Sequence, residues 1–136
     1  MLSIIERVIL LRSVDMFATA EDAMLAGVAE IMDEVEAHAG DDVVQQGELG
    51  TKMYVVVSGG VDVQIGDSVI ARLGASDVFG ELAALDPEPR SATVTAAEHT
   101  LLLSLDHAPL LELMAEDVEV AAGIIRFLCE RIRKTG

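Results

Sequence analysis

Apolar residues recur with helical spacing at both ends of the chain and with a period of two through its middle. Over residues 2–11, apolar positions fall at 2, 5, 8 and 9 and again at 4, 8 and 11. This spacing predicts a helix that is apolar around much of its circumference and therefore packs on something. Val14, Asp15, Met16 and Phe17 break the pattern. Thr19, with Asp22 three residues on, forms an imperfect capping box. It predicts a helix from residue 20 to about 32 that buries Ala23, Met24, Val28, Ile31 and Met32.

After Ala39-Gly40-Asp41-Asp42 short apolar runs follow at 43–44, 53–57, 61–65, 69–73, 92–96 and 101–105. Gly47, Gly50, Gly59-Gly60, Gly66-Asp67 and Gly74 punctuate them, and Ile65-Gly66-Asp67-Ser68 is a compact hairpin turn. Many short strands so spaced predict a small antiparallel barrel or jelly roll, with no parallel βαβ rhythm. Asp106 then caps a helix to about Met114, with Pro109 in its first turn, and Asp117 opens the last helix. That helix carries two apolar stripes: Val118, Ala121, Ile125, Leu128 and Ile132, and a shorter one of Val120, Ile124 and Phe127. One stripe suffices for docking, so the shorter is expected to face a ligand, a subunit or another domain.

Composition narrows the partners. At 136 residues and 51% apolar content, the chain can bury one core without staples, and with 3% aromatics that core must be Val, Leu, Ile, Ala and Met. Twenty-four acidic against nine basic residues give a net charge of −15, which repels a polyanion and argues against nucleic-acid binding. An anion site on such a chain has to be local. The single cysteine, Cys129, is read as a packed thiol and fits a reducing compartment. Glu6 and Arg7 interrupt the N-terminal apolar run, and no stretch reaches the roughly 18 apolar residues of a membrane span. The expectation is a cytoplasmic chain without membrane insertion.

The run FGELAALDPEPRSAT, residues 79–93, carries the candidate chemistry. Glu81 follows Gly80 at the start of a short helix, and Arg90 returns nine residues later beside Ser91. A carboxylate accepts hydrogen bonds from hydroxyls, a guanidinium grips an anion through its rigid fork, and a helix start adds N–H donors. Together they describe a pocket for a small phosphorylated sugar. The plainer reading is a surface ion pair of Arg90 with Glu81, Asp86 or Glu88.

This run resembles the phosphate-binding cassette of cyclic nucleotide-binding domains, whose pattern is Phe-Gly-Glu-Leu-Ala, a short loop, then Arg-Ser-Ala or Arg-Thr-Ala. QGELGTKMYVVVSGGVDVQI, residues 46–65, resembles the same family's strand, glycine turn and hairpin. The resemblance covers roughly residues 17–132. It implies an α+β, mainly β fold: a double-stranded antiparallel β-helix or jelly-roll-like β-roll with N- and C-terminal helices. One such domain would occupy 1–136. Residues 1–16 would be an N-terminal helix and candidate linker to an upstream domain, 17–105 a helix plus the roll, and 106–136 the C-terminal helices. The resemblance assigns the ribose 2′-hydroxyl to Glu81 and the cyclic phosphate to Arg90. The amides of Leu82, Ala83 and Ala92 and the Ser91 hydroxyl complete the cradle, with Gly80 as turn and close-approach residue. Val63 and Ile70 would wall the base, a role compatible with their being core residues, and Phe127 or Ile124 would cap it.

The implied function is a non-catalytic regulatory module. It binds a 3′,5′-cyclic nucleotide, cAMP favoured over cGMP because the base wall is apolar, although Ser91 offers a hydroxyl. Ligand bridging the cassette and the last helix would move that helix and signal to an effector domain or subunit, with a homodimer as one arrangement. Two departures stand out: the final helix has no Trp or Tyr, and no helix-turn-helix follows, so direct transcription-factor action is not expected of this chain. One alternative is a ligand-free interaction or dimerisation domain of the same fold. A weaker one is a cupin-type metal enzyme, because His38, His99 and His107 lie on separate elements without H-x-H spacing and are read as surface or capping residues. No metal and no catalytic residues are expected, since no Ser-His-Asp order or phosphate-binding P-loop occurs.

Overall fold

Each of the six apolar runs in the middle of the chain becomes a strand. The computed structural model describes residues 1–135. Its helices are α1 (Ile4–Arg12), α2 (Asp22–Glu30), α3 (His107–Glu116) and α4 (Val118–Thr135). Its strands are β1 (Asp33–Ala37), β2 (Asp42–Val44), β3 (Leu49–Gly50), β4 (Lys52–Ser58), β5 (Val61–Ile65), β6 (Ser68–Leu73), β7 (Val78–Phe79), β8 (Glu88–Pro89), β9 (Thr93–Ala96) and β10 (Thr100–Asp106). Single 3₁₀ turns occupy Asp15–Phe17 and Glu81–Ala84. Two compact units form: residues 32–107, which hold the strands, and residues 1–31 together with the chain from 108. The expected end of the last segment, Gly136, lies outside the described residues.

In the strand unit, one sheet runs β1-β10-β4-β7 and the other β2-β9-β5-β6, with β3-β8 as a separate pair, all antiparallel. This is the mainly-β, jelly-roll-like architecture expected. Tyr54, Val56, Val61, Val94, Ala96, Leu102 and Ala37 form a core cluster between them, with Val35, Val43, Val44, Val63, Leu73 and Phe79 packed against it. Met53 and Val55 on β4, and Leu103 and Leu105 on β10, are fully buried as well. These two interior strands therefore bury both faces, which explains their unbroken apolar runs.

β1 escaped the sequence reading. Asp33-Glu34-Val35-Glu36-Ala37 has two apolar residues, and the helix was expected to run on to about 32. It forms because it is an edge strand, pairing β10 from Asp33↔Ser104 to Ala37↔Thr100. The β5–β6 hairpin closes as expected at Ile65↔Ser68, with Gly66 at φ 59°. A register shift after Val63↔Ala71 leaves Ile70 without a cross-strand partner.

In the helical unit the caps differ from expectation. α1 starts at Ile4 behind a reciprocal capping box, in which the Ser3 hydroxyl accepts the Glu6 N–H and the Glu6 carboxylate accepts the Ser3 N–H, each at 3.1 Å. Its circumference is not buried all round, because Ile5 and Ile9 are exposed. α2 is preceded by Glu21, with no side-chain cap, and not by Thr19. Arg12 explains the change: its guanidinium takes the Ala20 carbonyl at 2.6 Å and pairs with the Asp22 carboxylate, which fixes the entry to α2. α2 buries Met24, Leu25, Val28 and Ala29, while Ala23 points outward and Ile31 is half-buried. Arg7 donates from Nη1 to the Ala29 carbonyl at 2.9 Å, satisfying one open acceptor at the end of α2.

On α4 the two stripes exchange roles. The shorter stripe docks, with Val120 and Ile124 fully buried, while Val118, Ile125 and Ile132 of the longer one face outward. Gly123 fits this packing, since a Cβ there would lie 3.0 Å from Met24 Cε and push that side-chain tip aside. Cys129 is half-buried.

Gly59 forms a tight turn in the strand unit. It sits at φ 86°, and a Cβ would fall 2.8 Å from Thr100 Cα, beside a fully buried Thr100 hydroxyl that accepts the Gly60 N–H at 3.1 Å. Gly59→Ala is expected to cost about 2–3 kcal/mol. Gly66→Ala has open space around it and should cost about 1 kcal/mol from backbone conformation alone. Urea unfolding of both variants tests the difference, and equal costs would refute it.

Candidate functional site

The cassette lies within the strand unit and is built around Arg90. Its backbone is fixed on both sides, because the Arg90 N–H donates to the Glu48 carbonyl at 2.8 Å and the Gly47 N–H donates to the Arg90 carbonyl at 2.9 Å. The β3–β8 pairing, Leu49↔Pro89 and Gly50↔Glu88, holds the same two segments together. The side chain then lies in a trough that only glycine permits. A Cβ on Gly50 would fall 2.6 Å from Arg90 Cζ and 2.7 Å from Cδ. A Cβ on Gly80 would collide with Nη1 from the other side and approach the Lys52 carbonyl at 3.0 Å.

Within that trough Arg90 Nη2 donates to the Lys52 carbonyl at 2.7 Å. Its Cζ lies 6.0 Å from the centroid of the Tyr54 ring, which itself stacks on Phe79 at 5.0 Å and 16°. Burial pulls the Arg90 pKa below its ordinary value, with the Tyr54 hydroxyl group opposing. It stays a cation. Among the described residues no carboxylate lies within ion-pair reach of it, so the pairing with Glu81, Asp86 or Glu88 does not form. A guanidinium has five N–H donors, and one neutral carbonyl is a poor match for them.

Gly80 at φ 69° turns the chain into the 3₁₀ turn and puts Glu81, half-buried, at its first position. The turn is pinned at its far end by His107, whose Nδ1–H donates to the Ala84 carbonyl at 2.8 Å while its backbone N–H reaches the Thr51 carbonyl at 2.9 Å. The cassette thus joins Gly80 and Arg90 directly. Ser91 is exposed, Ala92 half-buried and Leu82 mostly outward. The Ala83 amide donates to the Gly80 carbonyl at 3.0 Å, so it enters an anion cradle only by exchanging that bond. Val63 faces the core cluster opposite Ala71 and Val94, whereas Ile70 is exposed on β6. Phe127 belongs to the helical unit, with the Arg131 guanidinium 5.5 Å above its ring.

Sequence reasoning missed four contributors: Gly50 as a packing glycine, the Lys52 carbonyl, Tyr54 and His107. Gly50 was legible only as a turn signal, and a carbonyl has no signature in sequence.

The family model described as "Cyclic nucleotide-binding domain" matches residues 34–117, a span that contains this entire cassette. The chain belongs to that family. Over 126 residues it is 29% identical to a CRP-like cAMP-activated global transcriptional regulator of Mycobacterium tuberculosis, covering 88% of this chain and 55% of that protein. Over 122 residues it is 36% identical to a cyclic nucleotide-gated potassium channel of Mesorhizobium japonicum, covering 90% and 34%. In structure it is similar to the N-terminal domain of a transcriptional regulator from Streptomyces coelicolor A3(2), with TM-score 0.87, 35% identity and coverage of 93% and 92%. The chain spans about half the length of the mycobacterial regulator (55%) and about a third of the channel (34%). No described helix is long and apolar enough to cross a membrane.

The trough makes a specific energetic claim about the cyclic nucleotide-binding domain. Gly50→Ala should destabilise it by about 1–3 kcal/mol through collision with Arg90. In the Arg90→Ala background the same change should be nearly neutral. A double-mutant cycle by urea unfolding measures the coupling, and additivity within about 0.5 kcal/mol would refute the contact.

Proposed function

We propose that the chain is a non-catalytic regulatory module that binds a 3′,5′-cyclic nucleotide, with Arg90 on the cyclic phosphate and Glu81 on the ribose 2′-hydroxyl. The observation that carries this reading is the half-buried guanidinium with no carboxylate partner among the described residues, on a chain of net charge −15. Burial of a charge costs free energy unless an opposite charge answers it, and a phosphate does so through two parallel N–H···O bonds. The Ser91 hydroxyl and the amides of Leu82 and Ala92 supply further donors, with the Ala83 amide after exchange. Val63 offers an apolar surface to the base, and Ile70 an exposed one.

We assign cAMP as the preferred nucleotide. The mycobacterial relative is named as cAMP-activated, and a relative from Mycosarcoma maydis, 36% identical over 94 residues, is a cAMP-dependent protein kinase regulatory subunit. The output is assigned to ligand-dependent movement of α4, whose outward Val118, Ile125 and Ile132 suit an effector domain, another subunit or a second copy of this chain. A cytoplasmic setting accompanies this reading. Phe127 is the candidate cap on the base, with Ile124 held in the helical core.

Calorimetric titration with cAMP and cGMP, on protein first unfolded and refolded to strip any co-purified nucleotide, tests the ligand. One equivalent should bind, cAMP more tightly, and Arg90→Ala should weaken binding by about 2–3 kcal/mol, roughly 30- to 150-fold. A folded wild type that gives no heat with either nucleotide would sink the reading in favour of an interaction domain. Hydrogen exchange tests the output separately: amides of α4 should change protection when nucleotide is added, and an unchanged α4 would refute that helix as the transmitter.

A further inference from the structure

We propose that Glu36, His38 and His99 form a binding site for a divalent transition-metal ion of the zinc type, on the β1–β10 edge of the strand unit and apart from the cassette. The ligand atoms of all three side chains lie within 4.8 Å of one another. Glu36 Oε1 is the focus, 3.0 Å from His99 Nε2 and 3.5 Å from His38 Nε2. Donors around a tetrahedral zinc at about 2.0–2.2 Å sit roughly 3.4 Å apart, so small side-chain rotations bring these three onto one ion.

The backbone already sets this arrangement. The Ala37↔Thr100 pairing ends the β1–β10 ladder and places His38 and His99 side by side, their rings 5.5 Å apart and edge to face. The loop after β1 is tied down, since the His38 N–H donates to the Asp41 carboxylate at 2.9 Å, the Asp41 N–H to the His38 carbonyl at 2.9 Å, and the Gly40 N–H to the Ala96 carbonyl at 2.8 Å. His99 is held from the other side by the tight Gly59 turn, which packs against its carbonyl.

The donor chemistry selects the metal. Two imidazoles and one carboxylate favour zinc, cobalt, nickel or copper over calcium and magnesium, which take oxygen sets. Asp41 Oδ2, which accepts the His38 backbone N–H, lies 3.8 Å from Nδ1 of His38, a charge-pair distance outside hydrogen-bond range. All three side chains are exposed, so water completes the coordination and an ion enters freely. The chain's charge of −15 raises the local cation concentration.

Tag-free protein, stripped with chelator, is titrated with zinc chloride by calorimetry and with cobalt chloride by visible absorption. One equivalent of zinc should bind, with tetrahedral or five-coordinate cobalt bands. His38→Ala and His99→Ala should each weaken zinc by at least about tenfold. On the wild type, zinc should move the imidazole NMR signals of His38 and His99 and leave those of His107, which is tied to Ala84. Absence of zinc binding, variants that bind like the wild type, or shifts at His107 alone would overturn the site. The NMR result stands even if a histidine variant fails to fold.

Discussion

A guanidinium held half-buried, with no carboxylate in ion-pair range among the described residues, is a costly object, and much of the strand unit is arranged to hold one. Arg90 is fixed by its own backbone bonds to Glu48 and Gly47, confined between Gly50 and Gly80, and given one neutral acceptor, the Lys52 carbonyl. Desolvation lowers its pKa, yet the group stays charged at any physiological pH. The arrangement therefore keeps a positive charge, pre-oriented and dehydrated on one side, in a chain whose surface is strongly acidic. Preorganisation of this kind costs stability in the free state, and a bound anion returns it.

The supporting parts follow from that constraint. A trough one guanidinium wide needs two backbones without Cβ atoms, which fixes glycine at 50 and 80. A cation over an aromatic face needs the ring held still, and the Tyr54–Phe79 stack inside the apolar cluster does that. The one-turn 3₁₀ helix is too short to be stable by itself, so its end is anchored by His107 through the Ala84 carbonyl. Packing, hydrogen bonding and turn geometry thus converge on one side chain, although the residues that supply them are spread from 47 to 107.

Much of this was legible in the sequence, for local reasons. Residues 79–93 carry their own chemistry, and glycine-bounded runs of alternating or continuous apolar residues announce strands wherever the core takes one or both faces. What escaped depends on contacts distant in sequence. β1 is an acidic strand that only the register with β10 reveals. Thr19 looked like a helix cap until Arg12, seven residues earlier, took the Ala20 carbonyl. The two stripes of α4 are similarly apolar, and only tertiary contacts such as Gly123 against Met24 distinguish them. His38 and His99 lie 61 residues apart and meet because Ala37 pairs with Thr100.

The two polar clusters of the strand unit differ in the kind of partner each suits. At the cassette, a cation is withdrawn from water and the acidic groups are kept out of ion-pair range, which suits an anion with hydroxyls beside it. At the β1–β10 edge, a carboxylate and two imidazoles converge in full solvent, which suits a small cation that brings its own water. Burial is appropriate to the first, because a desolvated guanidinium distinguishes a polyatomic anion from bulk chloride by shape. Exposure is tolerable at the second, because coordination bonds to nitrogen supply selectivity that the solvent does not screen away. β10 runs from Thr100, next to the two imidazoles, to Asp106, next to His107, so it reaches both places. β10 is paired with β1 from Thr100 to Ser104 and with β4 from Leu101 to Asp106, and a strand held on both sides along most of its length is a stiff support for both clusters.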